Sequence, residues 1–205
     1  RFDNEIKNTF ARQALEKRKW AFVADYIRLY ALYTYGGIYM DSDVRVYKRF
    51  DTFLEHSFFS CIEYFEPTNY VAIEAAIMGA EKEFIKECLE LYHNIPFIQP
   101  DGTLDQTPIT VKIANIAAQN WGFKYIPQAQ ILRGDMHLYP PVTFTNPSGE
   151  FSTTQTYAIH LCNGSWVDKR NNFIERIIFF IKNYYNHPHI AIVNIYKKLK
   201  SKILR

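Results

Sequence analysis

The sequence predicts a single α/β domain in which strands alternate with helices around one core. Its 205 residues, 48% of them hydrophobic, are enough for one sizeable core. Short apolar or alternating segments typical of strands are interspersed with longer segments of helical periodicity. We therefore expect a mixed, Rossmann-like sheet flanked by helices.

The first part of the chain predicts two helices followed by strands. Residues 4–19 are polar, charged and rich in helix formers, which predicts an exposed helix. Residues 20–35 repeat apolar side chains at steps of three and four, which predicts a mostly buried helix. Gly36 stands where a left-handed helix cap would lie. The expected strands are "IYM", "VRVYKRF" and "SFFSCIEYF".

The second part continues the alternation. The segment "VAIEAAIMGA" fits a strand or the start of a helix, and "EKEFIKECLELYHN" is an amphipathic helix. A second helix is expected over "ITVKIANIAAQNWG", with Thr107 and Pro108 at its start, and "TYAIHLCNGSW" is expected to be a strand that ends in a polar loop. We assign residues 1–172 to one domain and residues 173–205 to two C-terminal helices broken at Pro188.

Composition excludes several classes of function. A net charge of +3 is too small to favour a nucleic-acid partner. The three cysteines are far apart and lack a Cys-x-x-Cys spacing, so we expect reduced thiols and no zinc site. No apolar run reaches the roughly 18 residues that a membrane span needs.

Two aspartates, Asp41 and Asp43, end the apolar strand in "YGGIYMDSDVRVY". Their carboxylates repel each other and resist burial unless something compensates the charge. Mg²⁺ and Mn²⁺ prefer carboxylate oxygens and leave positions open for a diphosphate. Because aspartate is common in turns, the pair alone fits a solvated turn at least as well.

A second pair of charges, Asp25 and Arg28, lies in the predicted buried helix. Their spacing of three places them on one helical face, among apolar neighbours. They must therefore pair with each other, as an internal salt bridge, or with a ligand. In the second case Arg28 would bind phosphate oxygens or sugar hydroxyls, and Asp25 would accept from sugar hydroxyls.

The run "FVADYIRLYALYTYGGIYMDSDVRVYK" resembles the core motif of glycosyltransferase family 32, which has an Asp-x-Asp sugar-binding region. A similar pattern marks the glucosyltransferase domains of large clostridial toxins. The resemblance is close over residues 20–60 and looser to about residue 170. It implies a glycosyltransferase-A type domain that transfers a hexose from a nucleotide-diphosphate sugar, with retention of anomeric configuration and with Mn²⁺ or Mg²⁺ as cofactor.

The resemblance also implies roles for individual residues. Asp25 and Arg28 would contact the donor sugar and its diphosphate. Asp41 would contact ribose and sugar and reach the metal indirectly, and Asp43 would be a direct metal ligand. Tyr39 is counted among the substrate-binding candidates, although packing that supports the strand is the favoured role.

A downstream cluster follows a short strand in "YAIHLCNGSWVDK". A lone histidine on an apolar strand is usually a satisfied core residue, but the family carries a histidine near Gly-Ser-Trp in this region. The resemblance therefore implies that His160 is a metal or phosphate ligand. Asn163, Ser165 and Trp166 would contact the donor, the last two as a flap over it.

Other segments are less specific. In "PDGTLDQTPIT", Asp101, Asp105 and Thr107 could bind sugar hydroxyls, but capping of the following helix is favoured. His137 is expected to be structural. The family's opening strand of Pro-Lys-x-Ile-His type, which helps hold the nucleotide base, has no counterpart here, so the domain is expected to be N-terminally incomplete.

The expected partners are a nucleotide-diphosphate sugar donor and an oligosaccharide or glycolipid acceptor in polysaccharide (capsule) synthesis. The C-terminal segment ends in "KKLKSKILR", and such a basic helix could rest on an anionic membrane or simply be solvated. We expect a cytoplasmic protein. A further hypothesis is that it contacts the inner face of the membrane peripherally.

Three alternative functions stay open. "IYMDSDV" resembles the start of haloacid dehalogenase-like phosphatases, in which Asp41 would be a covalent nucleophile. That family places Thr or Gly soon after the second aspartate, whereas Arg45 and Val46 stand here. A non-catalytic sugar-nucleotide-binding module and a toxin-like protein glycosyltransferase are the other two.

Overall fold

The computed structural model describes residues 7–80, 82–144 and 154–160 and shows a mixed α/β fold. The mixed sheet and its helices confirm the α/β prediction at that level and are compatible with a glycosyltransferase-A type domain. The helices are α1 (Thr9–Glu16), α2 (Trp20–Tyr35), α3 (Lys82–Asn94) and α4 (Ile109–Ile116). The strands are β1 (Ile38–Met40), β2 (Val44–Val46), β3 (Phe58–Phe65), β4 (Tyr70–Ile73), β5 (Ile77–Ala80), β6 (Gln130–Leu132), β7 (Met136–Tyr139) and β8 (Ala158–His160).

The main sheet has the strand order β1-β5-β3-β7-β6, and β4 pairs with the C-terminal half of β3. β5 is antiparallel to both β1 and β3, and β7 is parallel to β3. β1, β3 and β7 therefore run in the same direction, and their carboxyl ends lie at the same end of the sheet. A separate two-stranded sheet pairs β2 with β8.

Helix α2 has the predicted bounds, and its end explains the paired glycines. The Gly36 amide donates to the Leu32 carbonyl at 2.8 Å. Gly36 has φ 66° and ψ −156°, so its φ is positive, as expected for a cap, but its ψ lies outside the left-handed helical region. That combination is essentially restricted to glycine, and it turns the chain directly into β1.

Helix α1 corrects the prediction of an exposed helix over residues 4–19. It is shorter, and it buries Phe10, which is 0% exposed and meets Tyr92 and Phe97 edge-on with ring centroids 4.8 and 5.2 Å apart. Asn8 caps the helix by accepting from the Ala11 amide. The few apolar residues of this segment form one narrow stripe, which the abundant charges obscure in the sequence.

Two other segments differ in detail from expectation. "VAIEAAIMGA" contributes to two strands, β4 and β5, with Glu74 between them. Helix α4 continues into a π-helical turn, Ala117–Trp121. The predicted C-terminal helices of residues 173–205 lie outside the described residues. In the part of the chain that is described, no helix has both the length and the apolar character needed to cross a membrane.

Candidate active site

The two aspartates of the motif lie in a turn at the carboxyl end of β1. The Asp41 amide donates to the Ala76 carbonyl at 2.9 Å, which continues the pairing with the β5 side. The Val44 amide donates to the Asp41 carbonyl at 3.0 Å and closes a four-residue turn around Asp43. The pair therefore lies in a turn, and both carboxylates converge on one point.

His160 reaches the same point from the distant strand β8. The antiparallel pairing of β2 with β8 places His160 opposite Val44 and so beside the turn. Its Nε2 atom lies 3.4 Å from Asp43 Oδ1 and 4.0 Å from Asp41 Oδ2. One ligand atom from each of these three residues lies within 4.8 Å of the others. A divalent ion with ligands at about 2.0–2.2 Å holds them roughly 3 to 4.4 Å apart, so the spacing fits one ion.

Arg28 links the helix to this turn. Its Nη2 atom lies 3.4 Å from both Asp25 and Asp41, and its Nη1 atom donates to the Ala75 carbonyl at 2.8 Å. The guanidinium also lies over the Tyr39 ring, 4.9 Å from its centroid. Arg28 is thus the internal partner of Asp25, as the first alternative predicted, and it also contacts the motif aspartate. Its contact with a ligand stays a prediction.

Tyr39 supports Asp41 directly. Its hydroxyl donates to Asp41 Oδ1 at 2.5 Å. Burial raises the pKa of the Tyr39 phenol, so the group stays a donor at neutral pH. This contact orients the Asp41 carboxylate. The sequence had instead favoured packing that supports the strand.

Negative charge exceeds positive charge in the site. Burial raises the pKa of Asp25 to about 6, with Arg28 opposing that effect and Asp41 adding to it. Asp25 and Asp41 share the Arg28 guanidinium, and Asp43 faces the His160 ring, which fits a site completed by a cation.

Glu74 is a component of the site that the sequence analysis missed. It is 2% exposed, lies between β4 and β5, and accepts from the Ala76 amide at 2.7 Å. The same oxygen is 3.5 Å from His160 Nδ1, while His160 Nε2 faces Asp43. A carboxylate behind a histidine favours the tautomer whose other nitrogen carries a lone pair. Its signal in the sequence was a charged residue inside an apolar run, as for Asp25.

Glu63 on β3 is a second missed carboxylate. Its Oε2 atom accepts from the Tyr70 hydroxyl at 3.3 Å, and that hydroxyl is 2.9 Å from the Thr110 hydroxyl. Burial and the neighbouring Glu74 raise the pKa of Glu63 to about 7. The folded protein therefore holds a proton on Glu63 at mildly acidic pH.

We expect Glu63→Gln to stabilise the metal-free protein at pH 8 but not at pH 4.5. The folded-state pKa of Glu63, about 7, lies above its ordinary value of 4.5. The stability that protonated Glu63 contributes is therefore fully present below pH 4.5 and is lost as the pH rises through 7. The difference in free energy of unfolding between variant and wild type should grow by up to roughly 3 kcal/mol over that window. Urea unfolding in EDTA at both pH values measures it, and a pH-independent difference would contradict the assignment.

The loop before α4 has a structural role instead of the expected capping role. Asp105 forms an ion pair with the buried Lys112 ammonium at 2.9 Å and accepts from the Thr107 amide. Asp101 accepts from Thr103 within its own turn. Helix α4 begins after Pro108 without a side-chain cap, so the capping prediction is wrong.

The remaining predicted contacts, Asn163, Ser165 and Trp166, lie outside the described residues. The described candidates all come together at the carboxyl end of β1: Asp25, Arg28, Tyr39, Asp41, Asp43 and His160.

Comparison with protein families gives a match to the N-terminal part of the chain. Residues 2–60 match a family described as the glycosyltransferase sugar-binding region containing the DXD motif. The matched segment carries α1, α2 and the aspartate turn, and the match implies glycosyltransferase activity. No curated protein and no solved structure matches the chain. The narrower resemblance to family 32 and to the clostridial toxins stays a prediction.

Proposed function

We propose that this protein is a metal-dependent, retaining glycosyltransferase that moves a hexose from a UDP- or GDP-linked sugar to a glycan acceptor. The observation that carries the proposal is the convergence of Asp41, Asp43 and His160 on one point beside Arg28. The family match over residues 2–60 supports the class of reaction.

The donor set suits a hard or borderline divalent ion. Two carboxylates and one imidazole would hold Mn²⁺ or Mg²⁺ and leave coordination positions for diphosphate oxygens. When bound, such an ion neutralises charge that grows on the departing diphosphate.

Arg28 and Asp25 would act on the donor from the helix. Arg28 is fixed by three protein oxygens, so its charge is already in place where the leaving group develops negative charge. Its Nε atom is buried and has no hydrogen-bond partner among the described residues. Asp25 holds Arg28 in position and would accept from a sugar hydroxyl.

Transfer with retention needs attack on the face that the diphosphate leaves. In the mechanism that we favour, the bond between the anomeric carbon and the phosphate oxygen breaks as the acceptor oxygen bonds to that carbon. The acceptor proton passes to the departing phosphate oxygen. Arg28 and the carboxylates keep donor and acceptor oriented while this happens.

For the setting, we propose assembly of a surface polysaccharide or glycolipid at the cytoplasmic face of a membrane. The support is the basic C-terminal sequence and the match to a glycosyltransferase sugar-binding region. A toxin-like protein acceptor is the alternative that the shared motif leaves.

The test of the proposed function is release of nucleoside diphosphate from a panel of UDP- and GDP-linked hexoses, with Mn²⁺, Mg²⁺ or EDTA. We expect metal-dependent release from one donor class, by slow hydrolysis without acceptor and faster with glycan acceptors. Binding of a donor without any turnover would instead favour the non-catalytic module.

We expect Glu74→Gln to weaken Mn²⁺ binding. The change keeps shape and hydrogen-bonding capacity but removes the charge that raises the basicity of His160. Loss of such an outer partner typically costs about 10- to 100-fold in metal affinity or activity. Titration of Mn²⁺ followed by electron paramagnetic resonance measures it.

The matched control is Glu87→Gln, the same change on α3, where Glu87 accepts from the Trp121 indole and from Asn120. This control should leave Mn²⁺ affinity unchanged. Equal affinities for wild type and Glu74→Gln would show that Glu74 does not act through His160.

A further inference from the structure

A second cluster of side chains that can bind a metal lies at the opposite end of the strands, near the amino ends of β3 and β7. It consists of His56, Asp135 and His137, and one ligand atom from each lies within 4.8 Å of the others. His56 precedes β3 and Asp135 precedes β7, whereas the aspartate turn follows β1. Because these three strands run in the same direction, the two clusters are at opposite ends of the strands.

The pairing of the strands builds this cluster. The parallel pairing of β3 with β7 sets Phe59 opposite His137, so His56 arrives beside the tight turn between β6 and β7. The Ser57 hydroxyl donates to the Gly134 and Asp135 carbonyls of that turn. Gly134 and Asp135 both have positive φ, 67° and 55°, and this backbone aims the Asp135 carboxylate at the two rings.

One of the distances matches a coordination shell, and the other is that of a hydrogen bond between Asp135 and His137. Asp135 Oδ1 is 2.8 Å from His137 Nε2, and Asp135 Oδ2 is 3.6 Å from His56 Nδ1. Tetrahedral ligands at 2.0–2.2 Å from a zinc ion are roughly 3.3–3.6 Å apart. The other nitrogen of His56, Nε2, is 2.9 Å from the Tyr139 hydroxyl. An outer contact of this kind fixes which nitrogen faces the ion in metal sites.

We propose that His56, Asp135 and His137 form a binding site for a borderline divalent transition metal, with Zn²⁺ as the representative ion. Two imidazoles and one carboxylate favour such ions over Mg²⁺. The half-buried rings and exposed carboxylate leave room for water as a fourth ligand. The bound ion would join the segment before β3 to the turn before β7.

Capture of the ion requires a local rearrangement. The two rings stack with centroids 3.5 Å apart and an interplanar angle of 9°. A nitrogen lone pair lies in the plane of its ring, so both rings must rotate out of the stack to point at one ion. Such a rotation about side-chain bonds leaves the backbone of the turn in place.

The test uses the full chain carrying Asp43→Asn and His160→Ala, which removes two ligands of the other cluster. After EDTA treatment and its removal, Zn²⁺ is titrated by calorimetry and by thermal shift. We expect one Zn²⁺ per chain, a higher melting temperature with Zn²⁺, and no such effect of Mg²⁺ at the same concentration.

Adding His137→Ala or Asp135→Asn should weaken Zn²⁺ binding by about 100-fold, and adding Tyr139→Phe by about tenfold. His93→Ala is the matched control, since His93 lies on α3 beside Tyr26, and it should change nothing. Absence of Zn²⁺ binding in the background protein, or binding that survives both His137→Ala and Asp135→Asn, would overturn the proposal. Because no readout is turnover, this result is independent of the proposed transferase activity.

Discussion

Asp43→Asn should reduce metal-dependent sugar transfer by about 1,000-fold or more, since a bound ion contributes several kcal/mol and each 1.36 kcal/mol is tenfold in rate. The substitution keeps the shape of the side chain and removes the charge that faces His160 Nε2 at 3.4 Å. Release of nucleoside diphosphate with saturating donor, with and without Mn²⁺, measures the loss.

Stability separates this effect from a folding defect. In EDTA the Asp43→Asn protein should melt no lower than wild type, because one of several close carboxylates has been neutralised. Asp51→Asn is the matched control and should leave turnover unchanged. Among the described residues, the Asp51 side chain pairs with the exposed Arg49 side chain. Retention of a tenth or more of wild-type turnover by Asp43→Asn would contradict the metal-ligand role.

Arg28→Met should abolish transfer and also destabilise the folded protein. The change leaves Asp25 and Asp41 facing each other without the guanidinium that lies 3.4 Å from both. Breaking a buried pair from one side typically costs about 3–5 kcal/mol. Urea unfolding and the transfer assay measure the two effects.

The loss of stability should depend on pH. Arg28 lowers the pKa of Asp25, which burial holds at about 6, so the variant has a still higher folded-state pKa. The proton on Asp25 is then retained to higher pH, and the destabilisation should be smaller at pH 5 than at pH 8. A destabilisation that is equal at the two pH values would contradict this account.

A double variant tests whether Arg28 and Asp25 are needed only for folding. Arg28→Met with Asp25→Asn removes both buried charges and should recover much of the lost stability without recovering transfer. Arg49→Met, which breaks an exposed pair, is the matched control and should leave the free energy of unfolding almost unchanged. Recovery of transfer in the double variant would show that both residues are needed only for folding.

The sequence was most informative where a pattern is long or chemically unusual. The 16-residue apolar periodicity of α2 and the glycines after it defined that helix and the start of β1 to the residue. Helix α1 was placed on the surface because the predicted segment, residues 4–19, has seven charged residues, whereas α1 buries three residues. The division of "VAIEAAIMGA" into two strands depends on pairing with β1 and β3, which local preference does not encode.

The same distinction applies to the site. Asp25 and Arg28 were found because charges inside an apolar run need partners, and the same signal was present but unused at Glu63 and Glu74. The proximity of His160 to the aspartate turn came from the family resemblance, since 117 residues separate His160 from Asp43. Nothing local relates His56 to His137; only the register of β3 against β7 brings them together.

The most direct test of the central claim is a thermal-shift series with UDP, GDP or CMP, each in Mn²⁺, Mg²⁺ or EDTA, on wild type and Asp43→Asn. A site built by Asp41, Asp43 and His160 predicts a rise in melting temperature that needs both a metal and UDP or GDP, and that Asp43→Asn removes. A nucleotide-dependent rise that persists in EDTA and in Asp43→Asn would contradict it, because the nucleotide would then bind without the metal site.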